Sequence, residues 1–426
     1  MNHFLDPTVR EHVFEAVLPC GFHLHIVPKP GFAKTEAALA VAFGGVDRDI
    51  RLGGTGEILS FPEGTAHFLE HMLFESESDP LSDRFSACGA SVNAYTAPTR
   101  TSYYFSTTNG LKEPLDLLLS LVLRPGFPEE RVEKERKIIA NEIRMYQDDL
   151  DQMLYQDTLA SLFESHPVTT DIAGTEESIG KIDASLLRRA HGIFYHPAHL
   201  HLIVVGDVDP EAVLRWTEAH PALREVGPDL LGERILRHED PAVRRGSWTQ
   251  KRDVKSDLLM IGVKLDRRTP ATPLDIDLEE IRLAFALDNV FGKTSRKYRD
   301  LMDRRLVNDA FEFSASVEAD YGFLLVFTET KKAEAAKKAL SEDLLHLSAL
   351  VEDEERFEIA KKKMLGNFIQ TFDHVSSLCS FLTEYYVSGV DPFDLLRKVG
   401  QMTFSDLRGH LPEITAASLA AVRYHP

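Results

Sequence analysis

The chain has 426 residues, of which 43% are hydrophobic and 27% are charged, and its formal net charge is −19 at pH 7. This length is well above the ~100–200 residues typical of one domain, so we expect at least two hydrophobic cores. Because such an acidic chain repels phosphate groups, its charge argues against nucleic acids and anionic membrane surfaces as partners, and a basic peptide fits better.

The cysteines and the N-terminus indicate where the chain resides. Cys20, Cys88 and Cys379 are far apart and form no Cys-x-x-Cys pair, a pattern typical of a reducing compartment. The N-terminus has no basic segment followed by an apolar one, and no run approaches the ~20 apolar residues of a membrane-spanning helix. We therefore predict an untargeted cytoplasmic protein.

Strands and helices are predicted in an order that occurs twice along the chain. The first copy comprises a strand over 35–43, an apolar helix over 63–74, paired strands within 90–107 and two helices reaching residue 148. The second comprises a strand over 257–265, a helix over 278–291, paired strands within 309–330 and further helices. We predict an α+β fold of two homologous domains, each a mainly antiparallel sheet with helices packed on one face.

A short repeated segment sets the register between the two copies. Glu129–Arg131 recurs as Glu354–Arg356, which aligns Asn367 with Glu142 and Ala360 with Glu135. The second copy therefore lacks both acids.

The stretch between the copies is rich in proline, glycine and charge, which is typical of a linker. We predict an N-terminal domain over 1–220 that carries a metal site, a linker over 221–245, and a related C-terminal domain over 246–426 without metal ligands.

The helix over 63–74 contains His67, Glu70 and His71 in a His-x-x-Glu-His motif. At about 100° per residue, the three side chains share one helix face. The two imidazoles can therefore bind one metal ion, and the carboxylate can reach a water on that ion. The rest of the helix is apolar nearly all round, and burying these groups without partners would cost several kcal/mol. The alternative, a chance motif on a solvated face, fits this apolar context poorly.

Zinc would require a third protein ligand and leave a fourth position for water. The helix over 129–147 carries Glu135 and Glu142 among apolar residues, on a different stripe from its lysines and arginines. Both are candidates for the ligand. The alternative is that they border a charged surface.

The sequence HFLEH at His67–His71, followed by Glu135-x6-Glu142, resembles the pitrilysin or insulinase family of zinc metallopeptidases, which includes the mitochondrial processing peptidases. The resemblance covers most of 12–215 and, more weakly, the second copy. Further matching segments are LPCGFHL at 18–24, SVNAYT at 91–96, FYHP at 194–197 and VVGDVD at 204–209.

This resemblance implies a Zn²⁺ cofactor and a role for each matching residue. It implies that Glu142 is the third ligand and that Glu135 supports catalysis from the same helix. It also implies that Asn93 and Ala94 lie on a strand edge that pairs with bound peptide. The expected function is a zinc-dependent endopeptidase acting on peptides or short unfolded polypeptides, with Glu70 as the base that activates water.

One departure from the family concerns the second copy and suggests a partner. In many members a tyrosine there works with an arginine to hold substrate, whereas here Asp309 stands near the expected tyrosine position. Some bacterial relatives divide these parts between two subunits. We predict a dimer, either of identical chains or of this zinc-bearing chain with a paralogous subunit that lacks the motif.

Other interpretations stay open. This fold also serves in non-catalytic assembly subunits, although structural members tend to lose the motif that is complete here. A hydrolase of non-peptide amides is a second alternative. A second metal site is conceivable where His23 and His25 alternate on a strand and His196, His199 and His201 crowd another, but such histidines commonly have structural partners or face solvent.

Overall fold

A computed structural model of the chain describes residues 1–7, 9–74, 81–224 and 226–426. Each of two compact units is assembled from segments that are distant in sequence. The first unit consists of Met1–Arg144, Asp171–Ile235 and Asn367–Phe393, and the second of Met145–Thr170, Leu236–Gly366 and Asp394–Pro426. Within the described ranges, none of the helices has the combination of length and apolar character needed to cross a membrane.

The strands are numbered in chain order. They are β1 (Asn2–Leu5), β2 (His12–Val17), β3 (His23–Pro28), β4 (Thr35–Val41), β5 (Asp49–Leu52), β6 (Ile58–Ser60), β7 (Ala90–Thr96), β8 (Thr101–Thr107), β9 (Leu200–Gly206), β10 (Leu231–Arg234), β11 (Ser247–Lys251), β12 (Asp257–Lys264), β13 (Glu312–Val317), β14 (Gly322–Thr330) and β15 (Leu419–His425).

The helices are numbered in the same way. They are α1 (Thr65–Phe74), α2 (Leu81–Ala87), α3 (Lys112–Leu123), α4 (Glu129–Gln147), α5 (Leu150–Leu162), α6 (Glu176–Ile179), α7 (Ala184–Phe194), α8 (Pro210–Ala219), α9 (Pro273–Phe291), α10 (Arg296–Asp303), α11 (Ala333–Leu345), α12 (Leu347–Leu350), α13 (Glu354–Thr371), α14 (Val375–Ser388), α15 (Pro392–Gln401) and α16 (Phe404–Gly409). Short 3-10 turns lie at Pro167–Thr169, Pro197–His199, Pro221–Leu223 and Ala416–Ser418.

The main sheet of the first unit has the strand order β1-β2-β3-β9-β4-β8-β7. Neighbouring strands are antiparallel except for β3 and β9, which are parallel. Successive side chains of a strand point to opposite faces. On one face, the apolar residues of β3, β4, β8 and β9 join those of α1, α3, α4 and α7 in one core.

Helix α14 contacts β4 and β9, and it buries Cys379 and Tyr386. Every residue of β4 is buried, because both faces of this central strand are covered. The α+β class is confirmed. The predicted packing of helices on one face describes α1, α3, α4 and α7, whereas α14 covers part of the other face. Its apolar pattern predicts a buried helix but does not say which sheet it covers.

The sheet of the second unit repeats the topology of the first. Its order is β11-β15-β12-β14-β13, which matches β3-β9-β4-β8-β7, and its only parallel pair among the described strands is β11 with β15. Helix α4 begins at Glu129 and α13 begins at Glu354, the two positions that the repeated segment aligns. The internal repeat is therefore visible in strand order as well as in sequence.

The compact units differ from the domain limits predicted from the repeat. Residues 145–170 belong to the second unit and 367–393 to the first, so the two repeat copies exchange segments. The predicted linker, 221–245, contains β10, which pairs with β5. This strand has only four residues, one of them glycine, and is too short for alternation to reveal. The limits 1–220 and 246–426 stay a prediction about the repeat copies.

Candidate metal centre

The start of α1 is fixed by a close approach of two backbone segments. Gly64 has a φ of +84°, and a Cβ there would lie 2.5 Å from the carbonyl oxygen of Ala173. The hydroxyl of Thr65 donates a hydrogen bond of 2.7 Å to the carbonyl of Pro62. A glycine is therefore required immediately before the helix.

The motif residues lie on the less buried side of α1. Ala66, Phe68, Leu69, Met72 and Leu73 are buried, as the apolar pattern predicts. The side chains of His67 and His71 are 12% and 22% exposed. Their ring centroids are 4.6 Å apart, and the rings meet edge to face. The helix thus presents two imidazoles together at the border of the core.

Helix α4 brings two carboxylates to these imidazoles. The guanidinium of Arg131 donates a hydrogen bond of 3.0 Å to the carbonyl of Met72 and so anchors α4 to α1. The Oε1 atom of Glu142 lies 3.7 Å from His67 Nε2, and its Oε2 atom lies 3.4 Å from His71 Nε2. One potential ligand atom from each of these three residues lies within 4.8 Å of the others.

These distances fit a zinc ion better than direct hydrogen bonds. Bonds of about 2.0–2.1 Å in a tetrahedral site place neighbouring ligand atoms about 3.3–3.4 Å apart. The 3.4 Å and 3.7 Å separations, one to each carboxylate oxygen of Glu142, are near this spacing and longer than good N–H···O hydrogen bonds. Two imidazoles and one carboxylate are also a donor set of catalytic zinc sites, in which a fourth position stays open. The residues present fit Zn²⁺.

The electrostatics differ between the two histidines. Burial, together with the neighbouring His71, lowers the pKa of His67 to about 4, so this imidazole is neutral at pH 7 and offers a lone pair. Burial also lowers the pKa of His71, but the nearby carboxylates of Glu135 and Glu142 outweigh it and raise that pKa to about 9. Without a metal ion, His71 therefore holds a proton that a metal would displace.

Glu135 lies behind His71. Its side chain is almost fully buried, and its Oε2 atom is 3.4 Å from His71 Nδ1. When Nδ1 carries a proton and donates a hydrogen bond to Glu135, the lone pair of the neutral imidazole lies on Nε2, the atom that faces Glu142. Glu135 thus contacts the candidate ligand His71 through its other ring nitrogen and lies outside the ligand set.

Glu70 is held by a contact that the sequence did not reveal. The hydroxyl of Thr96 on β7 donates a hydrogen bond of 2.5 Å to Glu70 Oε2. Burial raises the pKa of Glu70, and the hydrogen bond from Thr96 opposes this rise. Thr96 ends the segment SVNAYT that carries part of the family resemblance, but the sequence alone does not predict its contact with Glu70.

Asn93 and Ala94 lie on β7, the edge strand of the main sheet, which pairs with β8 along its other side. The side-chain oxygen of Asn93 accepts a hydrogen bond of 2.9 Å from the backbone N–H of Ala94. In the second unit, Asp309, which stands near the position of the family's tyrosine, lies in a turn before β13.

Comparisons with known proteins place most of the chain in one family. The family model described as insulinase (peptidase family M16) matches residues 60–176, and the model described as peptidase M16 inactive domain matches 181–364. A Bacillus subtilis protein named as uncharacterized zinc protease YmfH is 32% identical over 420 residues, with 97% of this chain and 96% of the relative covered. A second protein of that organism, named as uncharacterized zinc protease YmxG, is 25% identical, with 78% and 81% covered.

The chain also resembles solved structures of peptidases. A putative M16-like peptidase from Alicyclobacillus acidocaldarius is 29% identical and superposes with a TM-score of 0.91, with 98% of both chains covered. A protease from Helicobacter pylori, 20% identical with 97% of this chain and 99% of that chain covered, has a TM-score of 0.81 and supports the fold alone. The chain belongs to the insulinase family, peptidase family M16.

Proposed function

We propose that the chain is a zinc-dependent endopeptidase that hydrolyses peptides or short unfolded polypeptides. The observation that carries the proposal is the meeting of His67, His71 and Glu142 at distances suited to one tetrahedral ion. The membership of an M16 peptidase family and the zinc protease names of its relatives support it.

His67, His71 and Glu142 would hold the Zn²⁺, each through one donor atom. When bound, Zn²⁺ lowers the pKa of a coordinated water towards ~7 and polarises the scissile carbonyl. Glu135 would act as a positioning residue, because it accepts the Nδ1 proton of His71 and thereby keeps Nε2 free to bind the ion.

Glu70 would take the proton of the attacking water and then deliver it to the leaving amine. One of its oxygens is occupied by the hydroxyl of Thr96, which leaves the other for the water. Burial raises the pKa of Glu70, which brings this carboxyl closer to the value that suits proton transfer near neutral pH.

Substrate would bind as an extra strand along β7. Such pairing uses main-chain hydrogen bonds, so it tolerates many sequences. An incoming strand would replace the contact between Asn93 and the N–H of Ala94 with a main-chain hydrogen bond. The net charge of −19 favours basic peptides.

A partner chain and a cytoplasmic location complete the proposal. The turn containing Asp309 carries no tyrosine at the position the family uses, which supports a dimer with a paralogous subunit that supplies the missing contact. All three cysteines are free, in keeping with a reducing compartment.

A second candidate is a non-catalytic assembly subunit, which the match of 181–364 to a domain described as inactive favours for the second copy. The intact set of His67, Glu70, His71 and Glu142 in the first copy favours the enzyme.

The test is digestion of a peptide library by the purified chain, alone and with its candidate paralogue. We expect internal cleavage that a chelator abolishes and added Zn²⁺ restores, with Glu70→Gln as the inactive control. Chelator-insensitive cleavage, or none in either preparation, would refute the proposal. Hydrolysis of small non-peptide amides without peptide cleavage would favour an amide hydrolase.

A further inference from the structure

A second cluster of imidazoles lies on the face of the main sheet opposite to α1. His23 and His25 alternate on β3, and His201 lies directly across from His23 on β9. Leu24, between the two β3 histidines, points the other way into the core beneath α1. The cluster therefore lies on a different sheet face from the motif histidines.

The nitrogen atoms of this cluster converge. His25 Nε2 is 3.2 Å from His201 Nδ1, and one ring nitrogen from each of the three histidines lies within 4.8 Å of the others. The rings of His23 and His201 stack with centroids 4.4 Å apart. The 3.2 Å separation is near the about 3.3–3.4 Å expected between ligand atoms of a tetrahedral site.

A carboxylate stands behind one member of the cluster. Glu15 lies opposite His25 on β2, and its Oε1 atom is 3.4 Å from His25 Nδ1. If His25 donates its Nδ1 proton to Glu15, its Nε2 lone pair faces His201. The 3.4 Å contact between His71 and Glu135 has the same form. A carboxylate that accepts from the second nitrogen of a ligating histidine is a common feature of metal sites.

The surroundings combine enclosure with access. The ring of Tyr386 on α14 stacks on His25 at a centroid distance of 3.7 Å, and His25 is buried. His23 is only partly buried, and the neighbouring Val17 is 65% exposed. An ion could therefore enter from the side of β2 while His25 stays enclosed.

We propose that His23, His25 and His201 form a second metal site that binds one divalent late first-row transition ion, with Zn²⁺ as the probe. Three imidazole nitrogens suit Zn²⁺, Ni²⁺ or Cu²⁺, whereas Ca²⁺ and Mg²⁺ require oxygen ligands. A bound ion would link β3 to β9. Because Tyr386 stacks on His25, the ion would also stabilise the packing of α14 against the sheet.

His199 provides a matched control. It lies in the turn immediately before β9, but its Nε2 atom is engaged by Asp229 at 2.9 Å. Replacing it removes a nearby imidazole and leaves the cluster intact.

The experiment measures zinc bound per full-length chain by equilibrium dialysis and elemental analysis. The background is His67→Ala with His71→Ala, which removes the motif site. We expect one ion per chain in this background, none after His23→Ala and His201→Ala are added, and one after His199→Ala is added instead. Circular dichroism checks that each variant is folded.

Two further variants keep the test decisive if the multiple variant fails to fold. His23→Ala alone changes a partly exposed ring, and Glu15→Gln changes only the group behind His25. Glu15→Gln should weaken Zn²⁺ binding by about 10- to 100-fold. His23→Ala, which removes a ligand, should weaken it at least as much. Zinc-free background protein, unchanged affinity in both single variants, or zinc retained after the cluster is removed would each overturn the proposal. If the background protein binds no zinc, the 3.2 Å contact between His25 and His201 is a hydrogen bond and not part of a metal site.

Discussion

The hydrogen bond from Thr96 to Glu70 gives the sharpest test of how the candidate base is tuned. Thr96→Val removes the hydroxyl and keeps the shape of the side chain. The lost contact is 2.5 Å long and is made to a carboxylate. Hydrogen bonds to charged groups are worth about 1.5–3 kcal/mol. At about 1.4 kcal/mol per factor of ten, kcat/KM measured on the acid limb of the pH profile should fall about tenfold to a hundredfold.

The loss of this hydrogen bond should also change how kcat/KM depends on pH. The hydrogen bond stabilises the ionised form of Glu70, so its loss raises the pKa of Glu70 beyond the rise that burial already causes. Glu70 must be ionised to accept a proton. The acid limb of the pH profile of kcat/KM should therefore move to higher pH in Thr96→Val.

The assay is the pH profile of peptide hydrolysis for the wild type, Thr96→Val and Thr96→Ser, with zinc content measured in parallel. Thr96→Ser keeps the hydroxyl and should retain the wild-type acid limb. Zinc content should be equal in all three, because the contact of Thr96 is with Glu70 and not with the candidate ligands. An unshifted acid limb with unchanged kcat/KM in Thr96→Val would refute the reasoning.

Three other predictions concern the same site. Glu70→Gln should keep zinc and lower kcat by about 10²–10⁴-fold, since general base catalysis contributes this much; wild-type turnover would contradict it. Glu135→Gln should weaken zinc binding by about 10- to 100-fold in a chelator competition, because an amide is a poorer acceptor for the Nδ1 proton of His71; unchanged affinity would place its role elsewhere. Because the pKa of metal-free His71 is about 9, zinc binding at pH 7 should release about one proton, and zinc affinity should fall as the pH drops below that pKa. Calorimetry in buffers of different ionisation enthalpy measures the released proton. Binding without proton release would contradict the assignment of His71 as a ligand.

The sequence predicts α1 and its buried apolar face well. The helix is expected over 63–74 and found at Thr65–Phe74. Glu142 is predicted to lie on the apolar face of its helix, and it does face the motif histidines. However, helical spacing puts Ile138 on that same face, and Ile138 is 41% exposed. Helical spacing gives the direction of a side chain but not which neighbouring element covers it.

Contacts between distant segments were the part that could not be predicted. Thr96 meets Glu70 only because the hairpin of β7 and β8 folds beside α1, and no local pattern encodes this meeting. Likewise, the cluster of His23, His25 and His201 depends on the parallel pairing of β3 with β9, which joins strands about 170 residues apart. The histidines were visible in the sequence, while their register was not.

The most direct test of the central claim is anomalous diffraction at the zinc edge from crystals of the full chain grown with Zn²⁺. The account predicts a peak within bonding distance of His67 Nε2, His71 Nε2 and the carboxylate of Glu142. A peak at His23, His25 and His201 would bear separately on the second site. Absence of zinc from the first position, or a zinc ion there without Glu142 as a ligand, would contradict the account.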